Sequence, residues 1–237
     1  MKEAPTAMTA GEGPDGEPLV YVFYGSLVRR ILQDDDGRPI EEWCNKGNRY
    51  RYPFKDAPAP YTTLWPKLVG TLGKDGPSGV FSRDEQDPRL DYTFHAVMSA
   101  DGTYRKVSWN HLDGMQKPKL SDVPPLPAGF TVTACCEFPD AGLVLLFGTG
   151  GGKSGYCAWN PVDATVDAKM TVGPLDTAVT AAFLGWDRVD GRRVMRLYAG
   201  ADGKQETAYV VTRKGSQLIL TVKAVPKFLE GAEPGAR

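Results

Sequence analysis

A group of polar and aromatic side chains near the N-terminus has the chemistry that binds sugars. Its members are Arg29, Arg30, Glu41, Glu42 and Trp43. A hairpin folded about Asp36-Gly37 would place the arginines opposite the glutamates, because Asp-Gly between β-rich runs favours a tight turn. Guanidinium and carboxylate groups bind sugar hydroxyls, and an indole ring packs on the apolar face of a sugar. The alternative is a cross-strand ion pair on a solvated sheet, which contributes roughly 0.2–1 kcal/mol to stability.

Further residues could contact a ligand elsewhere in the chain. Arg196, Tyr198 and Glu206 repeat the arginine, aromatic and glutamate set, with arginine and glutamate ten residues apart instead of twelve. Trp65 lies in a proline-rich segment, and Trp186 lies in a predicted loop between two strands. Because loops carry binding residues more often than the strands they connect, we expect both indoles to be available to a ligand.

The two histidines, His95 and His111, define an enzymatic alternative. Together with loop carboxylates they could form a catalytic site at the mouth of a channel, because catalytic triads assemble from distant residues. No G-x-S-x-G motif marks a nucleophile, so we predict that each histidine is structural and assign no catalytic residue. Two histidines also cannot form a three-histidine metal site.

The cysteines and one glycine-rich run indicate neither metal nor nucleotide binding. The cysteines are Cys44, Cys135, Cys136 and Cys157. They form no C-x-x-C pair and have no spaced histidine partners, so we expect no zinc. Cys135 and Cys136 are neighbours on a predicted strand and point to opposite faces, which favours reduced, buried thiols. GTGGGKSG at 148–155 is not a phosphate-binding loop, because Phe147 stands where the first glycine is required. We predict no cofactor.

The charge balance argues against a nucleic-acid binder. The chain has 237 residues, with 28 Lys and Arg against 29 Asp and Glu, and no basic stripe is visible. No apolar run approaches the roughly 20 residues that cross a bilayer, so we expect no membrane span. The first residues lack the apolar stretch of a secretory signal, and no compartment is assigned. The 27 glycines and 19 prolines are typical of a protein with many turns.

A four-strand unit near the C-terminus repeats along the chain. Its strands are predicted at 179–184, 194–199, 206–212 and 217–222, joined by turns at Asp190-Gly191, Asp202-Gly203 and Lys214-Gly215. V-T-A recurs at 132–134 and 179–181, and Trp-Asn recurs at 109–110 and 159–160, which gives a period of about 50 residues. We predict units at 19–54, 79–120, 130–172 and 178–224, an insertion at 55–78, and disordered tails at 1–17 and 226–237.

Four units of four antiparallel strands predict an all-β, four-bladed β-propeller that forms a single domain at 18–225. The innermost strands of a propeller surround a narrow axis and need small or β-branched residues. VTACC at 132–136 and VTAAF at 179–183 meet this need. A β-sandwich or a barrel is the alternative, but neither accounts for a four-strand period.

The V-T-A-A-F opening, followed about twelve residues on by an apolar strand such as V-M-R-L-Y, resembles hemopexin-like repeats. The resemblance covers 130–224 well and 19–120 loosely, and it implies a four-bladed propeller. Those repeats usually carry Asp where Thr133 and Thr180 stand in this chain.

The hairpins at 28–44 and 195–206 also resemble the blades of fungal-type fucose-binding propeller lectins, which are larger and have more blades. In those lectins an arginine and a glutamate twelve residues apart hold the sugar. Arg29 with Glu41 and Arg30 with Glu42 have the same spacing. The resemblance therefore implies a sugar site on the first unit.

Together these patterns favour non-enzymatic ligand recognition, with lectin-like carbohydrate binding through blade edges and loops. One alternative is a hemopexin-like scaffold that binds a protein partner or a hydrophobic ligand. Another is a small enzyme with its site at the channel mouth. The fold alone does not decide among them, because propellers serve both binding and catalysis.

Overall fold

Twisted antiparallel sheets make up most of the protein in a computed structural model. The structure describes residues 4–13, 16–34, 38–40, 42–45, 48–51, 58–72, 75–82, 92–100, 103–138, 142–187, 192–200, 202–214, 217–224 and 227–231. Neither helix found in these ranges exceeds four residues, and none is long and apolar enough to cross a membrane.

The N-terminal part of the chain forms one sheet and a separate hairpin. Its strands are β1 (Ala7–Glu12), β2 (Pro18–Tyr24), β3 (Leu27–Leu32), β4 (Glu42–Asn45), β5 (Asn48–Arg51) and β6 (Ala59–Pro60). Blade one is the sheet β1-β2-β3-β6, whereas β4 and β5 pair only with each other. Helix α1 (Tyr61–Leu64) and a single 3-10 turn (Pro66–Leu68) then lead to the next blade.

Three further sheets follow in chain order. Blade two contains β7 (Gly79–Ser82), β8 (Thr93–Ala100), β9 (Thr103–Asn110) and β10 (Lys119–Asp122). Blade three contains β11 (Thr131–Phe138), β12 (Leu143–Gly150) and β13 (Lys153–Asn160), with β14 (Thr165–Val166) and β15 (Thr171–Val172) sharing its outer edge. Blade four contains β16 (Val179–Asp187), β17 (Arg192–Ala199), β18 (Gln205–Lys214) and β19 (Gln217–Lys223), and helix α2 (Phe228–Gly231) follows it.

The first strands of the four blades close a ring around a central axis. β1 contacts β7 and β16, and β11 contacts the same two strands from the other side. Every sheet is antiparallel, and the strands run outward from the axis in chain order. The all-β, four-bladed propeller that the repeat predicts is therefore confirmed.

The hydrophobic core is divided into four clusters, each shared by two adjacent blades. The pairs of blades, each with one buried residue from the first and then the second blade, are one and two (Phe23, Phe94), two and three (Phe81, Leu146), three and four (Phe147, Met195), and four and one (Phe183, Val22). Successive residues of an inner strand point to opposite faces of the sheet and so enter different clusters. Cys135 packs toward blade two and Cys136 toward blade four, as their adjacency predicts.

The prediction of a disordered tail at 1–17 is wrong for residues 7–12. They form β1, the innermost strand of blade one, and Met8 is fully buried. Their small residues, AMTAGE, suit the narrow axis, but the same composition is typical of a disordered lead-in. Blade one therefore begins one strand earlier than predicted, and β2 is its second strand.

Two further predicted boundaries differ from the structure. Unit one is predicted to end at residue 54, but Asn48–Arg51 pairs with β4 outside the blade. The fourth strand is β6, which lies in the predicted insertion. In the predicted C-terminal tail, Phe228 is buried on α2. Units three and four open with the predicted inner strands, β11 and β16.

The inner strands approach so closely that one position accepts only glycine. A Cβ atom added to Gly79 would lie 2.4 Å from the backbone nitrogen of Cys135 and 3.0 Å from the carbonyl carbon of Ala134. These atoms belong to β11, which cannot move without opening the ring. At Gly150 the nearest atom to an added Cβ is the flexible Met170 sulfur, at 3.4 Å.

We predict that Gly79→Ala lowers the free energy of unfolding by about 1–3 kcal/mol, the usual cost of overpacking. Gly150→Ala is the matched control and should change stability by less than about 1 kcal/mol. Urea denaturation followed by tryptophan fluorescence measures both values. Equal stability of the two variants would contradict the close ring of inner strands.

Candidate functional site

Arg29 and Arg30 lie on the outer part of blade one. They belong to β3, where they pair with Val22 and Tyr21 of β2, and both are half-buried. On the other side of β3, the two-residue strand β6 pairs with Leu27 and Val28. Arg29 and Arg30 therefore lie on the part of β3 that follows the two residues paired with β6.

The chain turns back toward β3 as the Asp36-Gly37 turn predicts, although Asp36 and Gly37 lie outside the described residues. Asp34 donates its N–H to the carbonyl oxygen of Arg38 at 2.8 Å, and Ile40 donates to that of Leu32 at 2.9 Å. Gln33 and Pro39 form an isolated antiparallel bridge. The hairpin thus brings the segment after the turn alongside the end of β3.

The remaining members of the predicted group lie on or beside the separate hairpin. Trp43 is opposite Tyr50, and Glu42 is opposite Arg51 in the pairing of β4 with β5. Glu41 lies outside the described residues. The structure therefore places Arg29 and Arg30 on the sheet, and Glu42 and Trp43 on a hairpin that follows the return segment.

Arg196, Tyr198 and Glu206 are brought together, but inside the protein. Arg196 Nη1 donates to Glu206 Oε1 at 2.5 Å, and their side chains are 6% and 4% exposed. Tyr198 is fully buried, and burial first, then the Glu206 carboxylate, raise its pKa well above the ordinary value. The sequence predicts an open ligand site at this group, and this prediction is wrong. The group belongs to the packing between blades four and one.

The two tryptophans expected in loops occupy other environments. Trp65 is 2% exposed, and its indole N–H donates to the carbonyl oxygen of His111 at 2.9 Å. Its ring lies 5.4 Å from that of Trp109, between blades one and two. The expectation that Trp65 is available to a ligand is therefore wrong, because the segment that carries it fills an interblade gap. Trp186 lies within β16, opposite Arg193, and not in a loop.

Both histidines are buried in packing between blades. His95 Nδ1 lies 2.8 Å from Ser108 Oγ, and its ring stacks on Phe81. His111 bridges two blades: Nδ1 is 2.6 Å from the Tyr92 carbonyl oxygen, and Nε2 is 2.9 Å from that of Glu12. These positions agree with the predicted structural role of each histidine.

Three of the four cysteines have the properties of buried fillers, whereas Cys44 on β4 is exposed. All four are free, and Cys135, Cys136 and Cys157 are buried. Burial raises the pKa of Cys157 to about 11 and raises those of the other two as well, so the reactive thiolate is disfavoured. Within the described ranges, no group of three His, Cys, Asp or Glu side chains could hold a metal ion.

Thr133 and Thr180 stand at bulges where the inner strands begin. In each case the pairing with the second strand shifts by one residue at the threonine. Thr133 Oγ1 donates to the carbonyl oxygen of Val179, on the next blade, and Thr180 Oγ1 donates to that of Tyr198 at 3.2 Å. Both hydroxyls therefore bond to backbone at the positions where hemopexin-like repeats usually have Asp.

The environment of His111 predicts a pH dependence of stability. Burial lowers the pKa of His111 from 6.5 to about 4, against the opposing effect of hydrogen bonds to Glu12 and Tyr92. The unfolded chain binds this proton more readily than the folded chain, so stability should fall by about 3 kcal/mol as the pH falls from 6.5 to 4. In His111→Gln, the part of this fall in stability that is due to His111 should be absent, while the part due to the carboxylates should remain. Urea titrations of both proteins across this range measure the difference. Parallel pH profiles would contradict the lowered pKa and would indicate an imidazolium that donates to both the Tyr92 and the Glu12 carbonyl oxygens.

Comparison with known proteins identifies the fold. No protein-family model and no curated protein sequence matches the chain. Among solved structures, it is similar to the hemopexin fold protein CP4 from cow pea, with a TM-score of 0.62 and 11% identity over 97% of this chain and 96% of that one. It is also similar to a 2S albumin seed protein from Dolichos, with a TM-score of 0.59 and 14% identity over the same shares of the two chains.

A third similar structure is a plant albumin from Cicer arietinum that shows hemagglutination. The TM-score is 0.56, with 13% identity over 92% of each chain. At these identities the likeness concerns the fold. The chain thus has the four-bladed β-propeller architecture of hemopexin-fold proteins.

Proposed function

We propose that this protein is a non-enzymatic recognition module that binds carbohydrate on the outer part of blade one. The observation that carries the proposal is the interruption of the blade pattern beside Arg29 and Arg30. In blade four, by contrast, a seven-residue outer strand, β19, covers β18. In blade one β6 has two residues, and a separate hairpin occupies the chain between β3 and β6.

The pairing near the turn supports a polar group at this position. Gln33 lies opposite Pro39. The segment after the turn therefore returns beside the end of β3, and β4, which carries Glu42 and Trp43, follows it directly. Arg29 and Arg30 also interact with neighbouring groups, which would hold their guanidinium groups in place before a ligand arrives.

The chemistry of this group suits a neutral, hydroxyl-rich ligand. Arginine offers several N–H donors in a fixed plane, and a carboxylate accepts hydrogen bonds from hydroxyls. Trp43 and Tyr50 lie opposite each other on the adjoining hairpin and would supply aromatic surface for a sugar ring. Half-burial of the arginines leaves part of each side chain accessible, unlike the enclosed pair of Arg196 and Glu206.

The plant albumin that shows hemagglutination is compatible with this proposal. The proposal for this chain depends on its own blade-one residues. Neither histidine considered for an enzyme is in an open position, because both His95 and His111 are buried.

Binding of a protein partner is the second candidate, and the outer strand of blade four favours it. β19 is the edge of its sheet, and Ile219 and Val222 on it are 39% and 67% exposed. An edge strand with exposed apolar side chains can pair with a strand of another chain. Val222→Lys should weaken such an association and leave carbohydrate binding unchanged, as measured by analytical ultracentrifugation with the partner and by glycan binding.

A glycan array followed by titration calorimetry tests the carbohydrate proposal. We expect saturable binding to a defined set of glycans, and we expect Arg30→Ala to weaken binding of the best ligand about 10- to 100-fold, since it removes charge-assisted hydrogen bonds. Arg105→Ala is the matched control, because Arg105 is an exposed arginine on β9, the third strand of blade two. It should leave the affinity unchanged.

Arg196→Ala is not a suitable control, since Arg196 is buried and its loss would destabilise the protein. Absence of binding across the array, or equal effects of Arg30→Ala and Arg105→Ala, would contradict a sugar site on blade one.

A further inference from the structure

Helix α2 places an aromatic ring in a pocket between blades four and one. Phe228 is 1% exposed, and its ring centroid lies 5.3 Å from that of Phe183 in an edge-to-face arrangement. The same cluster contains Met8, Val22 and Tyr24 of blade one and Tyr198 of blade four. The pocket is thus apolar and aromatic on the sides that surround the phenyl ring.

One end of this pocket is polar. The Phe228 N–H lies 2.9 Å from Glu206 Oε2 and 3.1 Å from Oε1. Glu206 Oε1 also accepts from Arg196, so the carboxylate is held by one guanidinium and one backbone donor. The pocket therefore holds the aromatic ring of Phe228 together with the N–H donor close to that ring.

The segment that fills the pocket is not part of any sheet. Blade four already has four strands without it, and β1 and β16 contact each other directly at the axis. Ala224 and Lys227, before the helix, are exposed. Phe228 is buried and Leu229 half-buried, so this four-residue helix is attached through two apolar side chains and the Phe228 N–H. A segment attached through so few residues can open locally, without unfolding of the blades.

We propose that Phe228–Gly231 is a detachable strap, and that the pocket it leaves binds a ligand in which an aromatic ring is adjacent to an ammonium or other N–H donor. The strap then competes with the ligand for the pocket. The apparent association constant of the ligand equals that of the open pocket multiplied by the fraction of molecules in which the pocket is open. This site is separate from the proposed carbohydrate site on blade one.

The charges in the pocket determine which aromatic ligands it accepts. When the strap leaves, Glu206 Oε2 loses its backbone donor, while Arg196 still pairs with Oε1. A buried carboxylate oxygen without a donor is costly, which favours a ligand that brings an N–H or ammonium group. A ligand with a carboxylate at the same distance from its ring would offer no donor to Glu206 Oε2 and should bind more weakly.

Hydrogen exchange of the native full-length protein tests whether the strap detaches. We expect the Phe228 amide to exchange at least 100-fold faster than the Leu197 amide in the middle of β17, because it opens locally. Excess 2-phenylethylammonium should speed exchange at Phe228 further and leave Leu197 unchanged. Equal protection of both amides would show that the segment leaves only on global unfolding, and would overturn the proposal.

A full-length variant tests the ligand class. Phe228→Asp places a carboxylate beside Glu206 and should hold the strap out of the pocket. We expect this variant to fold and to bind 2-phenylethylammonium in calorimetry at least tenfold more tightly than the native protein. It should bind 3-phenylpropionate at least tenfold more weakly than the ammonium, and the added change Glu206→Gln should remove that preference.

Each outcome for the variant decides the proposal. A folded Phe228→Asp protein that does not bind the ammonium, or that binds both probes equally, overturns the assigned ligand class. A protein that fails to fold shows that the strap is an integral part of the ring, and overturns detachment. Because Arg29, Arg30 and β4 are unchanged in this variant, glycan binding tests the carbohydrate proposal independently.

Discussion

The close approach of four inner strands around one axis is the constraint on which the rest of the structure depends. Each of β1, β7, β11 and β16 contacts two neighbours, and a Cβ atom at Gly79 would lie 2.4 Å from the backbone of β11. Small residues are required at this radius, and Ala134 and Ala181 are completely buried there. Large side chains therefore pack between the blades, which is where the four core clusters of the described residues lie.

This division of the core explains why apparent site residues are buried. The gaps between blades widen away from the axis, and they are filled by segments outside the regular strands. Trp65 enters the gap between blades one and two, and Phe228 enters that between blades four and one. Arg196 and Glu206 face the second of these gaps, so an ion pair that resembles a ligand site is enclosed. Arg29 and Arg30, on the outer part of blade one, remain half-buried.

The sequence predicts the later blades better than the first. In blades three and four, the strands follow one another directly in the sequence and are joined by tight turns. The V-T-A openings mark the inner strands of these two blades. In blade one the inner strand AMTAGE is separated from the next by a polar turn and has the composition of a linker. The chain reverses between Asp34 and Arg38, which agrees with the predicted turn. A local pattern cannot show that the strands after the turn leave the sheet and pair separately as β4 and β5. The burial of Trp65 likewise depends on blade two, which is distant in sequence.

We propose that carbohydrate recognition resides where blade one departs from the repeat. The most direct test is a map of backbone amide chemical shifts during titration of the isotopically labelled protein with the best glycan from the array. We predict saturable shifts at Arg29, Arg30 and Glu42–Arg51, with β9 and β18 unperturbed. Shifts confined to the ends of the inner strands, or to blades two to four, would contradict the account.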